Sequence, residues 1–331
     1  MRALGLALIL LTALLPAPAQ ASTTTCQELR YPVTVAGSRQ TMAGTLCAPA
    51  NATTVQVLIP GATYNQSYWD YPSGGVSYRE AMNRAGHATL NLDRLGAGRS
   101  SHPLSTMVTV DVMADAIHQV LGTLRPGFDR VVLVGHSLGS VHAGVTAARY
   151  SGEVDAVVLT GVSHLLNAVG AAPSFPQLVP VTPLDPLLAE RHLDPGYITT
   201  RPGTREIAFH RPARVPQAAL DYDEAHRDVL ASGELLTAFP RITPLGTHTT
   251  QITQPVLLVN GQLDVLFCDA PAGADCRSAD RLVRSEQAYF PQTTRLDAFV
   301  LPEAGHAMNF APNAGRYHLA VIDWLRSAGF R

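Results

Sequence analysis

Val131-Val132-Leu133-Val134-Gly135-His136-Ser137-Leu138-Gly139 is the stretch from which the rest of the chain is read. Its four consecutive apolar residues, three of them β-branched, predict a strand buried on both faces. The Gly-x-Ser-x-Gly that follows, with helix-permissive residues over 138–150, predicts a sharp strand-to-helix turn. Such a turn lifts a serine hydroxyl above the carboxyl end of a parallel sheet, because the flanking glycines carry no side chain to clash there. Ser137 is therefore the expected nucleophile.

The pattern continues on both sides. Upstream, residues 55–59 read as a buried strand ending at Pro60-Gly61, residues 76–84 as a helix, 88–92 as a strand, and 111–124 as a helix with Val112, Ala116, Val120 and Leu124 in register. Earlier still, 31–35 and 44–48 form two short strands about Gly37-Ser38, an antiparallel edge. Downstream, the β-branched run 154–159 is a further core strand. This alternation predicts an α/β fold: a mostly parallel central sheet with helices on both faces, its ligands gathered at the carboxyl ends of the strands.

The alternation stops over residues 162–250, where Pro173, Pro176, Pro180, Pro183 and Pro186 are interleaved with Phe175, Leu178, Leu184, Leu187 and Leu188, and a helical portion lies near 217–230. A long segment without strand alternation reads as a cap inserted over the site, between core segments 22–161 and 251–331. The sheet resumes at 256–259 and ends at 298–301. An amphipathic helix at 316–327 carries Leu319, Val321, Ile322 and Leu325.

A hydroxyl needs a base to take its proton, and the base needs a third group to fix its tautomer. Asp264 follows the strand 256–259 and His306 follows the strand 298–301, giving the order Ser, Asp, His at strand ends that face one crevice. Among the 12 histidines, His136 adjoins Ser137 but is directed elsewhere by the turn, and His164 is the main rival base. Asp155 lies at the wrong end of its strand, and Glu303 is too near His306 in sequence to approach it from a separate strand end. An oxyanion needs two N–H donors. The backbone of Leu138 supplies one, and Ala62, in the loop Pro60-Gly61-Ala62-Thr63, supplies the other, since Pro60 has no N–H.

Residues 1–21 have a charged start, a short apolar segment and a small-x-small end, the pattern of a signal peptide cleaved after Ala21. No later segment offers about 18 uninterrupted apolar residues, so a soluble, secreted mature protein without stable membrane insertion is expected. Four cysteines suit an oxidising compartment. Of three possible pairings, Cys26–Cys47 and Cys268–Cys276 join near neighbours, and each would contribute about 3 kcal/mol by loop entropy. Their spacing lacks a matched pair of Cys-x2-Cys motifs, so a metal site is the weaker reading, and no cofactor is called for. With 24 basic and 26 acidic residues, a net charge of -2 gives no reason to expect nucleic acid as a partner. Asn51-Ala52-Thr53 and Asn65-Gln66-Ser67 fit glycosylation sequons.

On Gly135-His136-Ser137-Leu138-Gly139, Gly261-Gln262-Leu263-Asp264, Gly305-His306 and the run from Asp93 to Ser100, the chain resembles an α/β-hydrolase fold serine hydrolase of the esterase and lipase type. The resemblance implies Ser137 as nucleophile, Asp264 as acid and His306 as base, with Asp93 organising turns beneath the site. The family often has His-Gly in its oxyanion loop where this chain has Pro60-Gly61. Ser137 excludes the aspartate nucleophile of the dehalogenases and epoxide hydrolases of this fold. Hydrolysis of a small-molecule ester with an apolar acyl or alcohol group follows from the Leu/Phe/Pro-rich cap, with Tyr64, Tyr68 and Trp69 either lining the pocket or belonging to the core. Two alternatives stand: an amidase or aminopeptidase-like enzyme, with Asp221, Asp223 and Glu224 either holding a substrate amine or forming a solvated helix face, and a catalytically idle binding protein.

Overall fold

The computed structural model describes residues 23–330, so the expected export signal over residues 1–21 lies outside the described residues. In chain order the strands are β1 (Thr24–Val35), β2 (Ser38–Pro49), β3 (Thr54–Ile59), β4 (Ala88–Leu92), β5 (Arg130–His136), β6 (Ala156–Thr160), β7 (Leu178–Pro180), β8 (Tyr197–Thr200), β9 (Leu230–Ala231), β10 (Val256–Gly261) and β11 (Leu296–Leu301). The helices are α1 (Tyr78–Arg84), α2 (Val110–Leu124), α3 (Leu138–Arg149), α4 (Ala168–Ala171), α5 (Gln217–Ala225), α6 (Ser232–Ala238), α7 (Ala279–Glu286) and α8 (Gly315–Ser327). None of the described helices is long and apolar enough to cross a membrane.

Eight strands form one sheet in the order β1-β2-β4-β3-β5-β6-β10-β11, parallel from β4 to β11 and antiparallel at the β1-β2-β4 edge. Strand side chains point alternately to opposite faces, and both faces are apolar. Val131, Leu133, Val157 and Leu258 enter the core against α2 and α3, whereas Val132, Val134, Val158 and Leu257 enter a second core with Tyr78, Met82, Val321 and Leu325 of α1 and α8. Burial on two sides is why these strands read as continuous apolar runs.

The edge hairpin turns at Ala36 (φ 47°) and Gly37 (φ 79°), both left-handed, as a two-residue turn between twisted strands requires. It holds Cys26 opposite Cys47, and these two are disulfide-bonded, as are Cys268 and Cys276.

From β3 the chain passes to β4 on one side and returns to β5 on the other. The strand order therefore reverses between β3 and β5, and a crevice opens at their carboxyl ends. The segment between β6 and β10 departs from the expectation of no strands: β7, β8 and β9 make a small antiparallel sheet. With 3, 4 and 2 residues these strands are too short to show alternation. The helix read over 217–230 ends at Ala225, and Leu230 belongs to β9. In α8, Leu319 is 61% exposed, because the buried face is formed by Tyr317, Val321, Ile322 and Leu325.

Candidate active site

Ser137 stands at the end of β5 with φ 53° and ψ −119°, a conformation that costs a non-glycine residue energy and persists only where its surroundings enforce it. The flanking glycines show why. A Cβ on Gly135 would lie 2.4 Å from the Ser140 backbone nitrogen, and one on Gly139 would lie 2.1 Å from the Ile59 carbonyl oxygen. The helix thus starts directly against β3 and β5. Ser140 Oγ donates to the Thr160 carbonyl (2.9 Å) and accepts from the Thr160 N–H (3.0 Å), tying the turn to β6.

Asp264 and His306, 42 residues apart, meet: His306 Nδ1 donates to Asp264 Oδ2 at 2.9 Å. Asp264 is fully buried, and its other oxygen accepts from Leu266 N–H at 2.9 Å. A carboxylate can only accept, so the imidazole proton resides on Nδ1 and Nε2 presents its lone pair. That Nε2 has no hydrogen-bond partner among the described residues. The bond from Ser137 Oγ is therefore not formed in this structure; such bonds are often long until substrate tightens them. Phe209 and Phe267, with centroids 6.0 and 5.8 Å from that of His306, wall the ring on apolar surfaces.

His136 is placed differently. Thr160 Oγ1 donates to the Gly135 carbonyl, so it accepts from His136 Nδ1 at 3.2 Å. Burial, then the charges of His306 and His210, push His136 well below the ordinary histidine value and keep it neutral. It stacks on Tyr68 with centroids 4.4 Å apart. The rival His164 is held by Glu286 (2.7 Å) and Thr249 (2.9 Å) in a buried clamp. Asp155 pairs with Arg125 and Arg130 at the amino end of β5 and β6, and Glu303 is exposed.

Ser137, Leu138 and Ala62 border one cavity of about 120 Å³ whose remaining wall is apolar apart from Ser174, and includes Phe209, Leu235, Phe239 and Phe267. Leu138 opens α3, and the first N–H groups of a helix have no intrahelical acceptor. Tyr64, Tyr68 and Trp69 do not reach this cavity; they are 3%, 1% and 0% exposed in the second core, the latter of their two readings. Asp223 follows neither reading made of it, being buried between Arg205 (2.6 Å) and His210 (2.7 Å). Asp221 meets Gln217, and Glu224 accepts from the Arg205 N–H. Asp93 is buried and accepts from Gln66 N–H and Arg99 N–H, tying two loops together; burial raises its carboxyl above the usual value. A Cβ on Gly98 would lie 2.1 Å from that carboxyl group. A larger groove of about 570 Å³, between α1 and α8, is bordered by none of the expected site residues.

A family model described as "Alpha/beta hydrolase family" matches residues 56–315. The chain belongs to the alpha/beta hydrolase family. No curated protein sequence matches this hydrolase. Its fold is similar to that of a monoacylglycerol lipase from Paleococcus ferrophilus, at 18% identity and a TM-score of 0.58, covering 92% of this chain and 99% of that one. A thermophilic esterase from Thermogutta terrifontis aligns at 16% identity and a TM-score of 0.56, covering 91% and 98%. Epoxide Hydrolase A from Mycobacterium thermoresistibile aligns at 18% identity and a TM-score of 0.56, again covering 91% and 98%. The neighbours thus span more than one hydrolytic chemistry on one fold, and the choice among them rests on the site.

Proposed function

We propose that this hydrolase is a secreted serine esterase of the lipase-like kind, cleaving small carboxylic esters with an apolar acyl or alcohol group. The observation that carries the reading is His306, its Nδ1 bound to buried Asp264 and its Nε2 unpartnered. Ser137, at the expected strand end, opens into an apolar cavity. Ser137 Oγ attacks the ester carbon while His306 Nε2 takes its proton, and the resulting imidazolium is stabilised by Asp264. The carbonyl oxygen, now an oxyanion, accepts from the Ala62 and Leu138 N–H groups. Collapse expels the alcohol, which takes the proton back from His306, and leaves an acyl group on Ser137. Water, deprotonated by the same nitrogen, attacks the acyl-enzyme and frees the acid and the serine.

The serine at the position of attack separates this reading from the aspartate chemistry of an epoxide hydrolase. Residues 162–250 act as the cap, supplying Leu235 and Phe239 to the wall. Asp223 is committed to Arg205 and His210, which removes the best-placed carboxylate for a substrate amine and favours esters over aminoacyl amides. Export of the chain agrees with its two disulfides. The test is a panel of p-nitrophenyl esters and aminoacyl p-nitroanilides, assayed on the wild type and on Ser137→Ala. Ester turnover that the substitution abolishes is expected; anilides turned over faster than esters would overturn the ester assignment.

A further inference from the structure

The loop that carries Ala62 is gripped from the inserted segment by one buried cation. Arg205 is fully buried, and its Nη1 donates to Thr63 Oγ1 (3.1 Å) and to the Thr63 carbonyl (3.3 Å). Thr63 needs a grip: it is β-branched, yet its φ is 59°, in the left-handed region that such side chains resist. The Asp228 N–H, also from the inserted segment, donates to the same carbonyl at 2.9 Å. Arg205 is in turn fixed from behind. Its Nε donates to Asp223 Oδ1 at 2.6 Å, Nη1 also meets Thr200 Oγ1 at 3.2 Å, and its Cζ lies 4.2 Å from the Tyr64 ring centroid. Asp223 takes further bonds from His210 Nε2 (2.7 Å) and Tyr64 OH (3.3 Å). Burial alone would raise the Asp223 carboxyl, but Arg205 and His210 hold it below the usual carboxylate value.

An ion pair of this kind is an inefficient way to stabilise a core, since well-packed apolar residues do as well or better. Its geometry serves something else. Tyr64 N–H donates to the Gly61 carbonyl at 3.2 Å, closing a turn whose central pair is Ala62 and left-handed Thr63. Holding Thr63 left-handed holds that turn, and with it the Gly61–Ala62 peptide that bears the Ala62 N–H. We propose that Arg205, anchored by Asp223, is a positioning residue that holds Thr63 left-handed and aims the Ala62 N–H at the oxyanion. The inference rests on the reading of Ser137 as nucleophile. The short turn Glu206–His210 after Arg205 also touches the loop of the base. The Phe209 carbonyl accepts from Ala307 N–H at 3.3 Å, and a Cβ on Gly305 would meet the His210 carbonyl at 2.5 Å. The inserted segment therefore braces the loops bearing both Ala62 and His306, so the hole is complete only while that segment is docked.

Two variants test this: Arg205→Lys, which keeps the charge, and the double change Arg205→Met with Asp223→Asn, which removes both partners of the ion pair together. Each is assayed with a short p-nitrophenyl ester, with the matching trifluoromethyl ketone, and with the corresponding secondary alcohol. Ser137 Oγ adds to the ketone carbon and passes its proton to His306, leaving an oxyanion in the hole; the alcohol has the same shape but cannot be attacked. In the double variant kcat should fall about 100-fold or more, the scale of losing one oxyanion donor, and ketone inhibition should weaken in parallel. KM and alcohol binding should stay within about threefold, and Arg205→Lys should recover part of the loss. Unchanged kcat and ketone inhibition in folded variants would overturn the role of Arg205 alone, as would alcohol binding that weakens as much as ketone binding. A wild type insensitive to the ketone, with Ser137→Ala still cleaving the ester, would remove the serine chemistry and this role with it.

Discussion

The left-handed backbone at Ser137 and the closeness of α3 to β3 have the same cause, two glycines that allow a helix to start with no connecting loop. The requirement is unequal among glycines. At Gly139 an added methyl meets the Ile59 carbonyl at 2.1 Å, whereas at Gly122, in α2, it meets nothing within 4 Å. Gly139→Ala should therefore destabilise by several kcal/mol or prevent folding, while Gly122→Ala should stabilise by about 0.5–1 kcal/mol through helix propensity. Thermal unfolding of both checks this, and equal effects would contradict it. Asp264→Asn offers a second test at single-residue resolution. An amide presents an N–H as readily as an oxygen, so the proton on His306 Nδ1 is no longer required and Nε2 loses its fixed role as acceptor. A fall in kcat of about 10³–10⁴ with the fold retained is expected; a loss below tenfold would detach Asp264 from the chemistry. The proposed Ser137, Asp264 and His306 could each be picked out in the sequence because each follows a recognisable strand. Arg205 was not: its importance comes from a contact across 142 residues of chain that no local pattern signals.

Among the elements, those with a strong period were readable and the irregular ones were not. β3 and β5 are mainly apolar and buried over nearly their whole length, and α2 carries its apolar residues on one face. By contrast α7, Ala-Asp-Arg-Leu-Val-Arg-Ser-Glu, has few apolar residues to set a period and went unpredicted, although Ser278 caps it by accepting from Arg281 N–H. The segment between β6 and β10 is shaped by prolines and by contacts with the core. Its wall has a consequence for substrate length. The cavity at Ser137 and an outer apolar groove of about 480 Å³ share Phe175, Leu178, Leu235 and Phe239, which stand between them. While an acyl chain still fits the inner cavity, kcat/KM should rise about fourfold per methylene, the effect of about 0.8 kcal/mol of burial. The rise should stop where the chain meets this partition, and Leu235→Ala should move the break to longer esters. A break at the same length in wild type and variant would refute the partition.

The folded protein as a whole buries several histidines in neutral form, and this sets its behaviour in acid. Burial lowers His87 to about 4, and His248 and His318 each to about 3. The unfolded chain protonates these groups near pH 6.5, so between that pH and their folded-state values it binds more protons than the native state. Stability is thus full above about pH 6.5 and declines as pH falls; His87 alone would account for roughly 3 kcal/mol by pH 4. Asp93 and Asp269, both raised chiefly by burial, act in the opposite direction but are outnumbered. The melting temperature should fall steadily between pH 6.5 and 4.5, and one that is flat or rises over that interval would contradict the sign.

Fold class was accessible from alternation alone, because continuous apolar strands alternating with helices call for a parallel sheet buried on two sides. What ties the segment between β6 and β10 to the core was not, since it consists of buried polar contacts such as the Arg94–Glu234 ion pair and the bonds from Arg205 to Thr63, joining residues far apart in the chain. The chemistry proposed for that site depends above all on a reactive Ser137. The most direct measurement is exposure of the folded protein to a fluorophosphonate, followed by intact-mass and peptide analysis. One phosphonyl group per chain, on the peptide containing Ser137 and lost in Ser137→Ala, is the result expected. No adduct on correctly folded protein, or an adduct that persists in Ser137→Ala, would contradict it.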